Sequence, residues 1–437
     1  MASHLRNLTL LTPDSPVRFG MDIRIDKGGR IAEIGVALPR HPGDEVIDAR
    51  GALCLPGLIN SHNHSPLMVV RGMVEDKGFA PAYTPGVPQG HWLTEEDSLA
   101  LARLGVMEML CAGATTIVDY YRCPEALAQA AHDFGLRAII GGRVMDMDTG
   151  ALAQGRFERD ARLGESTLRA ALDVQAKWDG KGRITTMLAP HAPDSCSRGM
   201  FEEIATLASR TGTQVHTHLS QSQMEVDQIR AREGMTPTEF LDDVGLLTGD
   251  LIAAHCIFMS DSDITRFGAA RSIVAHAPIG NASFGAAAPI LPLQEAGARI
   301  TLCTDTKSAD MFEAMRMAIA SARWRAGMSF DLDAAEVFGW ATTAPAAVLK
   351  GHAATGRIEV GGPADLILLD PDAPNLRPVI DGYGIVAHSG SAANVTDVMV
   401  EGEWLIRDRK PTRVNMAEVI TEAQRVSEKL WAQARSA

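Results

Sequence analysis

Eight strand-like segments alternate with helical stretches between about residues 55 and 356, and this alternation limits the fold more than any other feature. Each segment is short and rich in apolar or β-branched residues, whereas the intervening stretches are rich in Ala, Leu and Glu. The segments are ALCLPGLI, TTIVDYY, RAIIGGR, ITTMLAPH, QVHTHL, LIAAHC, SIVAHAP and RITLCTD. Eight βα units in about 300 residues match the size of a (β/α)8 barrel. We therefore expect an α/β protein whose main unit is a TIM-like barrel.

The two ends of the chain share a second pattern, in which short alternating strands are broken by Gly and Pro. It occurs in LRNLTLL, VRFGMDIRID, IAEIGV and EVIDA near the start, and in GRIEVGGPADLILLD and VTDVMVEGEWLIRDRKP near the end. Neither group is long enough to close a core alone, so we expect both to meet in one small β-sandwich. The predicted organisation is a β-sandwich of residues 1–56 and 357–415, a barrel of residues 57–356 and an exposed C-terminal helix over residues 416–437.

Charge and composition indicate a small-molecule partner. The 437 residues are 46% hydrophobic and 22% charged, as in ordinary globular proteins. A net charge of −13, without a dense run of Lys and Arg, argues against a nucleic-acid surface. No segment approaches the roughly 18 apolar residues of a membrane span or resembles a signal peptide, so we expect no membrane partner and a cytoplasmic location.

Side chains that commonly bind metals stand at the ends of six strand segments. His62 and His64 follow the first segment, and an HxH pair at a strand end can direct both rings to one side. The remaining candidates end five other segments: His191, His216, His218, His255, His276 and Asp305. Any one of these could be a core histidine satisfied by a backbone carbonyl. Because the carboxyl ends of barrel strands form the active face, we expect the set to share one metal or catalytic site.

Several motifs in combination resemble the amidohydrolase superfamily: LPGLINSHNH, HTHL, AHC and CTD, together with GATTIVD, LAPHAPDSCS, VAHAPIGNASFGAAAPI and GRIEVGGPADLILLD. Within it the chain looks most like the branch of triazine hydrolases and of deaminases acting on cytosine, guanine, methylthioadenosine and S-adenosylhomocysteine. The resemblance covers nearly the whole chain. It implies a homo-oligomeric, metal-dependent hydrolase that cleaves a C–N bond of a small nitrogen heterocycle, with deamination as the leading reaction.

Carried over residue by residue, the resemblance assigns one metal to four ligands: His62, His64, His218 and Asp305. It also implies that Asp305 accepts a proton from the attacking water, that His255 contacts either the metal-bound water or the attacked group, and that His191 lines the substrate pocket. His216 and His276 would support the site by packing or hydrogen bonding. No lysine ends the fourth segment, so one divalent ion is expected. We expect zinc, with iron or manganese as alternatives, because nitrogen and oxygen donors discriminate weakly.

The chain departs from the deaminase pattern three residues after His218. The deaminases carry a proton-shuttling glutamate there, whereas this chain has Gln221, which can form hydrogen bonds but cannot relay a proton. Gln221 is thus a candidate catalytic and substrate-binding residue. Three explanations stay open: Glu225 substitutes, although it is also typical of a solvated carboxylate opening a helix; Asp305 and His255 carry every transfer; or the reaction is amide, urea, carbamate or halide hydrolysis. A non-catalytic amidohydrolase-like scaffold is the alternative from another class.

Two loops carry further candidate contacts. The segment KGFAPAYTPGVPQGHWL predicts a lid over the barrel mouth, where Tyr83, His91 and Trp92 either stack on a ring or pack on the surface. After the eighth segment, Lys307 and Asp310 either contact the substrate or form an ion pair within their loop.

Overall fold

The N-terminal end of the chain begins a sheet that its C-terminal end completes. The computed structural model describes residues 2–75, 86–88, 90–152, 154–306, 308–327 and 330–436. Five strands come from the N-terminal end: β1 (Ser3–Leu10), β2 (Arg18–Ile25), β3 (Ile31–Val36), β4 (Glu45–Asp48) and β5 (Leu53–Pro56). β2 pairs antiparallel with β1 and with β3, whereas β4 and β5 run parallel to β1.

Eight parallel strands then form the barrel: β6 (Leu58–Asn63), β7 (Ala114–Tyr121), β8 (Arg137–Val144), β9 (Ile184–Pro190), β10 (Val215–Leu219), β11 (Leu251–His255), β12 (Ile273–His276) and β13 (Arg299–Leu302). Each pairs with its neighbours in sequence order. β13 lies back beside β6, where the Ser61 hydroxyl donates to the Leu302 backbone oxygen at 2.9 Å. The predicted α/β class with a TIM-like barrel is confirmed.

Four strands from the C-terminal end complete the first sheet: β14 (Leu366–Leu369), β15 (Val395–Val400), β16 (Glu403–Arg407) and β17 (Lys410–Pro411). β14 pairs antiparallel with both β5 and β15, so the two chain ends share one nine-stranded sheet. Apolar side chains from both ends pack together on it, among them Leu5, Leu8, Ile23, Leu366 and Met399. A β unit built from both ends is therefore present, while the predicted domain limits stay a prediction.

The first predicted barrel segment, ALCLPGLI, is divided between the two sheets. Its first half is β5 of the end sheet, and the barrel strand β6 begins at Leu58. Gly57 stands at the division, where a Cβ atom would lie 2.1 Å from Oγ1 of Thr115. Apolar residues continue on both sides of this glycine, so hydrophobic periodicity does not reveal the break. β6 ends at Asn63, so His62 lies within the strand and His64 directly follows it.

Helices cover the barrel and carry recognisable end signals. α1 begins after a capping box between Thr94 and Asp97, and α2 ends at Gly135 in the left-handed conformation. The helices are α1 (Glu95–Cys111), α2 (Pro124–Phe134), α3 (Thr149–Leu152), α4 (Ala161–Trp178), α5 (Arg198–Thr211), α6 (Gln223–Glu233), α7 (Pro237–Asp243), α8 (Asp261–Ala269), α9 (Pro278–Ser283), α10 (Ile290–Glu295), α11 (Met311–Ala326), α12 (Ala334–Trp340), α13 (Thr343–Val348), α14 (Gly382–Ser389) and α15 (Met416–Ser436).

The C-terminal helix α15 packs along one face instead of being exposed all round. Five apolar residues at helical spacing are buried on this face: Val419, Ala423, Val426, Leu430 and Ala434. The Trp431 indole N–H donates to the Val69 backbone oxygen at 2.7 Å, and Lys429 Nζ lies 2.5 Å from Oδ1 of Asp97 at the start of α1. Within the described ranges, no helix is both long and apolar enough to cross a membrane.

Arg137 ties the barrel to the end sheet through a buried ion pair. Its side chain is 3% exposed, and Nη1 lies 2.6 Å from Oδ2 of Asp365 while Nη2 lies 2.8 Å from Oε1 of Glu401. Arg137→Ala leaves the buried Asp365 carboxylate without its cation. We expect the free energy of unfolding to fall by about 3–5 kcal/mol, measured by urea denaturation followed by circular dichroism.

The control for this variant is Arg169→Ala, which removes an exposed pair with Glu165 within α4. Exposed pairs of this kind contribute about 0.5 kcal/mol or less, so the control should unfold almost as the unmodified protein does. Equal losses in the two variants would contradict a special role for the buried pair.

Candidate metal centre

Four histidine rings meet inside the carboxyl end of the barrel. The ring centroids of His62 and His64 are 4.7 Å apart, and that of His218 lies 5.1 Å and 5.2 Å from them. His255 stacks on His218 with 5.3 Å between centroids. These residues lie in β6, β10 and β11 or directly after a strand, all at the carboxyl end of the barrel.

Three of these rings place Nδ1 against an oxygen acceptor and direct Nε2 into the site, where Nε2 of His64 and Nε2 of His218 lie 3.1 Å apart. Their Nδ1 atoms lie close to oxygen acceptors: His64 to the Tyr120 backbone oxygen at 2.5 Å, His218 to the His191 backbone oxygen at 2.6 Å, and His255 to Oδ1 of Asn281 at 2.9 Å. A carbonyl oxygen only accepts, so each Nδ1 carries the proton and each Nε2 keeps its lone pair. This arrangement is typical of histidines that bind metals.

His62 is held by a second histidine. Its Nδ1 lies 3.2 Å from Nε2 of His216, and the two rings are 4.9 Å apart. The Nε2 atom of His62 is buried and has no hydrogen-bond partner among the described residues. His216 therefore stands behind His62 and orients it, in agreement with the supporting role expected from the sequence.

Asp305 approaches the histidines from the turn after β13. Its Oδ1 lies 3.8 Å from Nε2 of His62. The ligand-type atoms of His62, His64 and His218 all lie within 4.8 Å of one another, and so do those of His62, His255 and Asp305. Zinc bonds of about 2.1 Å in a tetrahedron separate the ligand atoms by roughly 3.4 Å. The four predicted ligands thus divide between two triads that share His62: His64 and His218 complete the first, and Asp305 completes the second together with His255.

Burial keeps these imidazoles neutral. It lowers the pKa of His64 to about 4 and that of His216 to about 3, and it lowers the pKa values of His62 and His218 well below their ordinary value. A neutral imidazole offers the lone pair that a metal ion requires. Two buried nitrogens, Nε2 of His62 and Nε2 of His255, have no partner in the described part of the chain. The residues present therefore fit a divalent metal.

Left-handed backbone conformations concentrate at this end of the barrel. Ser220, His255 and Asp305 have φ angles of 49°, 73° and 58°. Ser220 directly follows β10, His255 ends β11, and Asp305 lies three residues after the end of β13. Each such conformation in a residue other than glycine costs of order 1–3 kcal/mol. The turns aim side chains at positions that an extended continuation of the strand would not reach.

The two predicted substrate contacts are partly exposed, unlike the buried ligands. His191 directly follows β9, and its ring centroid lies 4.8 Å from that of His218. Its Nδ1 lies 2.7 Å from the Ser195 hydroxyl, which fixes the ring. Gln221 stands two residues after β10, on the same end of the barrel. Both residues lie where the site opens to solvent.

Glu225 is buried under the turn that carries Gln221. Its Oε1 accepts the Ser220 N–H and its Oε2 accepts the Gln221 N–H, both at 2.8 Å. The residue is 2% exposed, so its interpretation as a solvated carboxylate is wrong. Because both oxygens hold the backbone, Glu225 is also a poor replacement for the missing proton shuttle.

His276 lies on the wrong face of its strand for the shared site. Ile273 and Ala275 of β12 pack in the cluster inside the barrel, so the alternation turns His276 outward. Its ring centroid lies 6.3 Å from that of Trp340, and neither ring nitrogen has a hydrogen-bond partner among residues that the structure describes. The expected hydrogen bond from His276 to the site was therefore wrong.

Asp310 is a helix cap and not a substrate contact. Its Oδ1 accepts the Phe312 N–H at 2.8 Å at the start of α11, and its Oδ2 accepts the Ala392 N–H at 2.8 Å. Both carboxylate oxygens are thus engaged with backbone. Lys307, its proposed partner in a loop ion pair, lies outside the described residues.

The predicted lid is described only in part, and Tyr83 lies outside that part. His91 is exposed, and its ring meets the Trp92 ring edge-on with 5.8 Å between centroids. Trp92 is half-buried against the main core. The described end of the segment is thus anchored by packing at Trp92.

Two residues of the site were missed in the sequence. Asn281, 1% exposed, fixes His255 through Nδ1, although it lies inside the quoted motif VAHAPIGNASF. The Tyr120 hydroxyl lies 3.0 Å from Nδ1 of His218, and Tyr120 is the inward-facing residue of the segment TTIVDYY. Strand alternation from Val118 would have indicated Tyr120.

Comparison with known proteins agrees with this geometry. The sequence model described as the amidohydrolase family matches residues 53–405. The 5′-deoxyadenosine deaminase of Methanosarcina mazei is 31% identical over 93% of each chain. A 5-methylthioadenosine/S-adenosylhomocysteine deaminase of Caldanaerobacter subterraneus is 30% identical over 98% of each chain.

Solved structures share the fold over almost the full length. An adenosine deaminase from Xanthomonas campestris with bound zinc has a TM-score of 0.87 at 24% identity, covering 98% of each chain. An atrazine chlorohydrolase from Arthrobacter aurescens, complexed with zinc, has a TM-score of 0.84 at 23% identity, covering 97% of this chain and 99% of its own. The resemblance expected from the motifs is confirmed: the chain belongs to the amidohydrolase family and is a hydrolase acting on C–N bonds.

Proposed function

We propose that the protein removes an amino group from a small nitrogen heterocycle by metal-dependent hydrolysis, releasing ammonia. The observation that carries this proposal is the pair of ligand triads at the open end of the barrel, His62 with His64 and His218, and His62 with His255 and Asp305. Relatives named as deaminases of adenosine-type compounds support an amino group on a purine-like ring as the reacting group. Homo-oligomeric assembly and a cytoplasmic location stay predictions from the sequence.

Zinc is the proposed metal, with iron or manganese as alternatives. Three imidazoles and one carboxylate suit zinc, and two solved structures of the same fold contain it. When bound, a divalent ion lowers the pKa of a water molecule toward about 7 and polarises the group under attack. The proposed holders are His62, His64, His218 and Asp305.

Asp305 and His255 are the proposed proton carriers. Asp305 presents the one carboxylate in the two triads, so Oδ1 is the atom that takes a proton from the attacking water. The contact with Asn281 gives His255 a protonated Nδ1 and an accepting Nε2. His255 therefore accepts a hydrogen bond first, and it donates one to the developing negative charge only after it has gained a proton.

A second candidate is hydrolysis with a leaving group other than ammonia, and Gln221 favours it. The Gln221 amide can orient a ring nitrogen but supplies no proton. Glu225 is occupied by the backbone of the turn, so Asp305 or His255 has to protonate the leaving group. A halide leaves without being protonated. An alkylamine, an alcohol, or the leaving group of an amide or urea differs from ammonia in how much protonation it needs.

The deciding experiment is a product screen with the full-length, zinc-loaded protein. Aminated purines, pyrimidines, pterins, triazines and ureas are assayed separately for ammonia and for halide, alkylamine or alcohol. We expect ammonia in a one-to-one ratio with the hydrolysed ring from at least one aminated heterocycle, and none from His218→Ala prepared in parallel. Another leaving group with no ammonia would select the second candidate. A folded protein that binds less than about 0.1 metal per chain, unchanged by His218→Ala, would indicate a non-catalytic scaffold.

A further inference from the structure

The barrel closes between β6 and β13, the first and the last of its strands. These two strands, which the structure describes in full, share no ladder of backbone hydrogen bonds, whereas neighbouring strands elsewhere in the barrel are paired through their backbones. Buried polar side chains join them instead, along a boundary that we call the closing seam: Asn60, Ser61 and Asn63 on one side, Thr301 and Thr304 on the other. The seam also carries two predicted metal ligands, His62 from β6 and Asp305 from the turn after β13.

Side chains take the place of the ladder along the middle of the closing seam. The Oγ1 atom of Thr301 lies 2.8 Å from Oγ of Ser61. The amide of Asn60 bonds twice to Thr304: Oδ1 accepts the Thr304 N–H at 3.1 Å, and Nδ2 donates to the Thr304 hydroxyl oxygen at 2.7 Å. The position of the turn after β13 relative to β6 therefore depends on particular side chains, because no regular backbone pairing sets it.

The open end of the closing seam holds Asp305 by its backbone. The Asp305 N–H donates to the His62 backbone oxygen at 3.2 Å, and the Asn63 side-chain amide donates to the Asp305 backbone oxygen. Nδ2 of Asn63 also lies 3.4 Å from Oγ1 of Thr304. Asp305 has a left-handed φ of 58°, a conformation that persists in a residue other than glycine only where surrounding contacts hold it. Two consecutive residues of β6 supply these contacts.

The same contacts leave the Asp305 carboxylate free. Among the described residues, the hydrogen bonds of Asp305 go to its backbone, while Oδ1 lies 3.8 Å from Nε2 of His62. A Cβ atom on Gly280 would lie 3.0 Å from Oδ2, so glycine at that position leaves room for the carboxylate. A hydrogen bond donated to a carboxylate favours its charged form and weakens it as a base. The closing seam thus fixes the place of the carboxylate without using either of its oxygens.

We propose that Asn63 and Thr304, supported by Asn60, are positioning residues that keep the Asp305 carboxylate opposite His62, so that both reach one divalent metal ion. The inference rests on the proposed role of Asp305 as a metal ligand and proton acceptor. It deepens that role by naming what holds together two ligands from strands without a shared backbone ladder. Hydrogen-bonding residues behind metal ligands typically contribute about 10–100-fold in metal affinity or activity.

Binding of Co²⁺ to the metal-free, full-length protein tests this proposal without any turnover. Co²⁺ binds nitrogen and oxygen ligands like those of zinc, and its visible absorption changes when its ligands move. Asn63→Leu keeps a side chain of similar size but cannot donate to the Asp305 backbone oxygen. We expect the Kd for Co²⁺ to rise by about 10–100-fold, with an altered absorption spectrum of the bound ion.

A pair of substitutions at Thr304 gives a second, milder test. Thr304→Val removes the hydroxyl oxygen that lies against both Asn60 and Asn63, and it should raise the Kd for Co²⁺ by about tenfold. Thr304→Ser keeps the hydroxyl and should bind Co²⁺ within about twofold of the unmodified protein. If Asn63→Leu does not fold, this pair decides: weaker binding in the valine variant that serine restores supports the proposal, and equal affinities overturn it.

Gln214→Met is the matched control, because it also replaces a buried amide by an apolar side chain of similar length. Gln214 precedes β10 at the opposite end of the barrel, where it donates to the Val348 backbone oxygen at 2.9 Å and accepts the Lys350 N–H at 2.7 Å. Urea denaturation of the metal-free proteins measures the loss of stability in each variant. The control should lose stability as Asn63→Leu does, yet keep its Kd for Co²⁺ within about twofold.

Three results would overturn the proposal. Folded Asn63→Leu and Thr304→Val that both bind Co²⁺ as the unmodified protein does would show that the closing seam does not position Asp305. Equal weakening in Gln214→Met would show that metal affinity follows stability alone. An unmodified protein that binds no Co²⁺ would refute the metal site itself. Failure of the ammonia screen leaves all these affinities measurable, so the two proposals fail separately.

Discussion

Replacing Asp305 with asparagine should lower kcat/KM by about 10²–10⁴-fold, the usual contribution of a general acid or base. Asp305 supplies the one carboxylate of the two ligand triads, and its Oδ1 lies 3.8 Å from Nε2 of His62. An asparagine oxygen still accepts hydrogen bonds but cannot take a proton at neutral pH. The backbone of Asp305 is left-handed, with φ of 58°, and asparagine tolerates this conformation as well as aspartate does. The substitution therefore removes the chemistry and leaves the fold.

The measurement separates proton transfer from loss of the metal. Activity of Asp305→Asn is determined with saturating zinc, and the zinc content of the folded protein is determined in the same samples. Asp173→Asn is the matched control, because Asp173 is exposed on α4 and the substitution is the same. The control should keep kcat/KM within about twofold. If Asp305→Asn keeps more than a tenth of the activity, Asp305 does not carry the proton transfer.

The metal centre could be predicted from the sequence because its residues obey two local rules. Strands of a parallel barrel all end on one side, so His62, His218, His255 and Asp305 had to meet once the strand segments were recognised. The HxH spacing also follows from strand alternation, which places His216 and His218 on the inner face together. Both rules depend only on the nearby sequence and the order of the strands.

The incorrect predictions for His276 and Glu225 also have identifiable causes. His276 ends a strand segment, as the true site residues do, but it stands between Ala275 and Ala277, which face the barrel interior, and so points outward. Alternation alone does not separate it from His255, which follows the inward-facing Ala254 and has a left-handed φ of 73° that the sequence does not reveal. Glu225 lies three residues after Ser222, whose hydroxyl accepts the Glu225 N–H at 3.1 Å. That spacing is the signature of a helix start with a locally engaged carboxylate.

Other features depend on contacts between distant elements. The first predicted strand divides at Gly57, where any side chain would collide with Thr115 of β7. The tautomer of His255 is set by Asn281, which is 26 residues away in the chain. Periodicity carries no information on such contacts, because they arise only when the barrel closes.

Replacing Gln221 with glutamate should raise kcat/KM for release of ammonia from an aminated purine such as 5′-deoxyadenosine by about 10²-fold. The Gln221 N–H is held by Oε2 of Glu225 at 2.8 Å, a backbone contact that the substitution does not alter. The variant thus places a titratable carboxyl group where the native chain has only an amide. Such a group can deliver a proton to the ring and then to the departing amine.

The control for this variant is Gln223→Glu, which adds the same charge two residues further along. The Gln223 side chain donates to Asp227 at 2.8 Å on the exposed side of α6, away from the metal centre. It should leave the rate of ammonia release unchanged, so an increase confined to Gln221→Glu reports proton transfer and not general charge. If Gln221→Glu instead slows ammonia release from every aminated ring, the native glutamine is adapted to deamination, with Asp305 and His255 carrying each proton. If Gln221→Glu alone speeds it, proton delivery limits ammonia release in the native site; the second candidate is selected only if the unmodified protein also hydrolyses a substrate with another leaving group faster than any aminated ring.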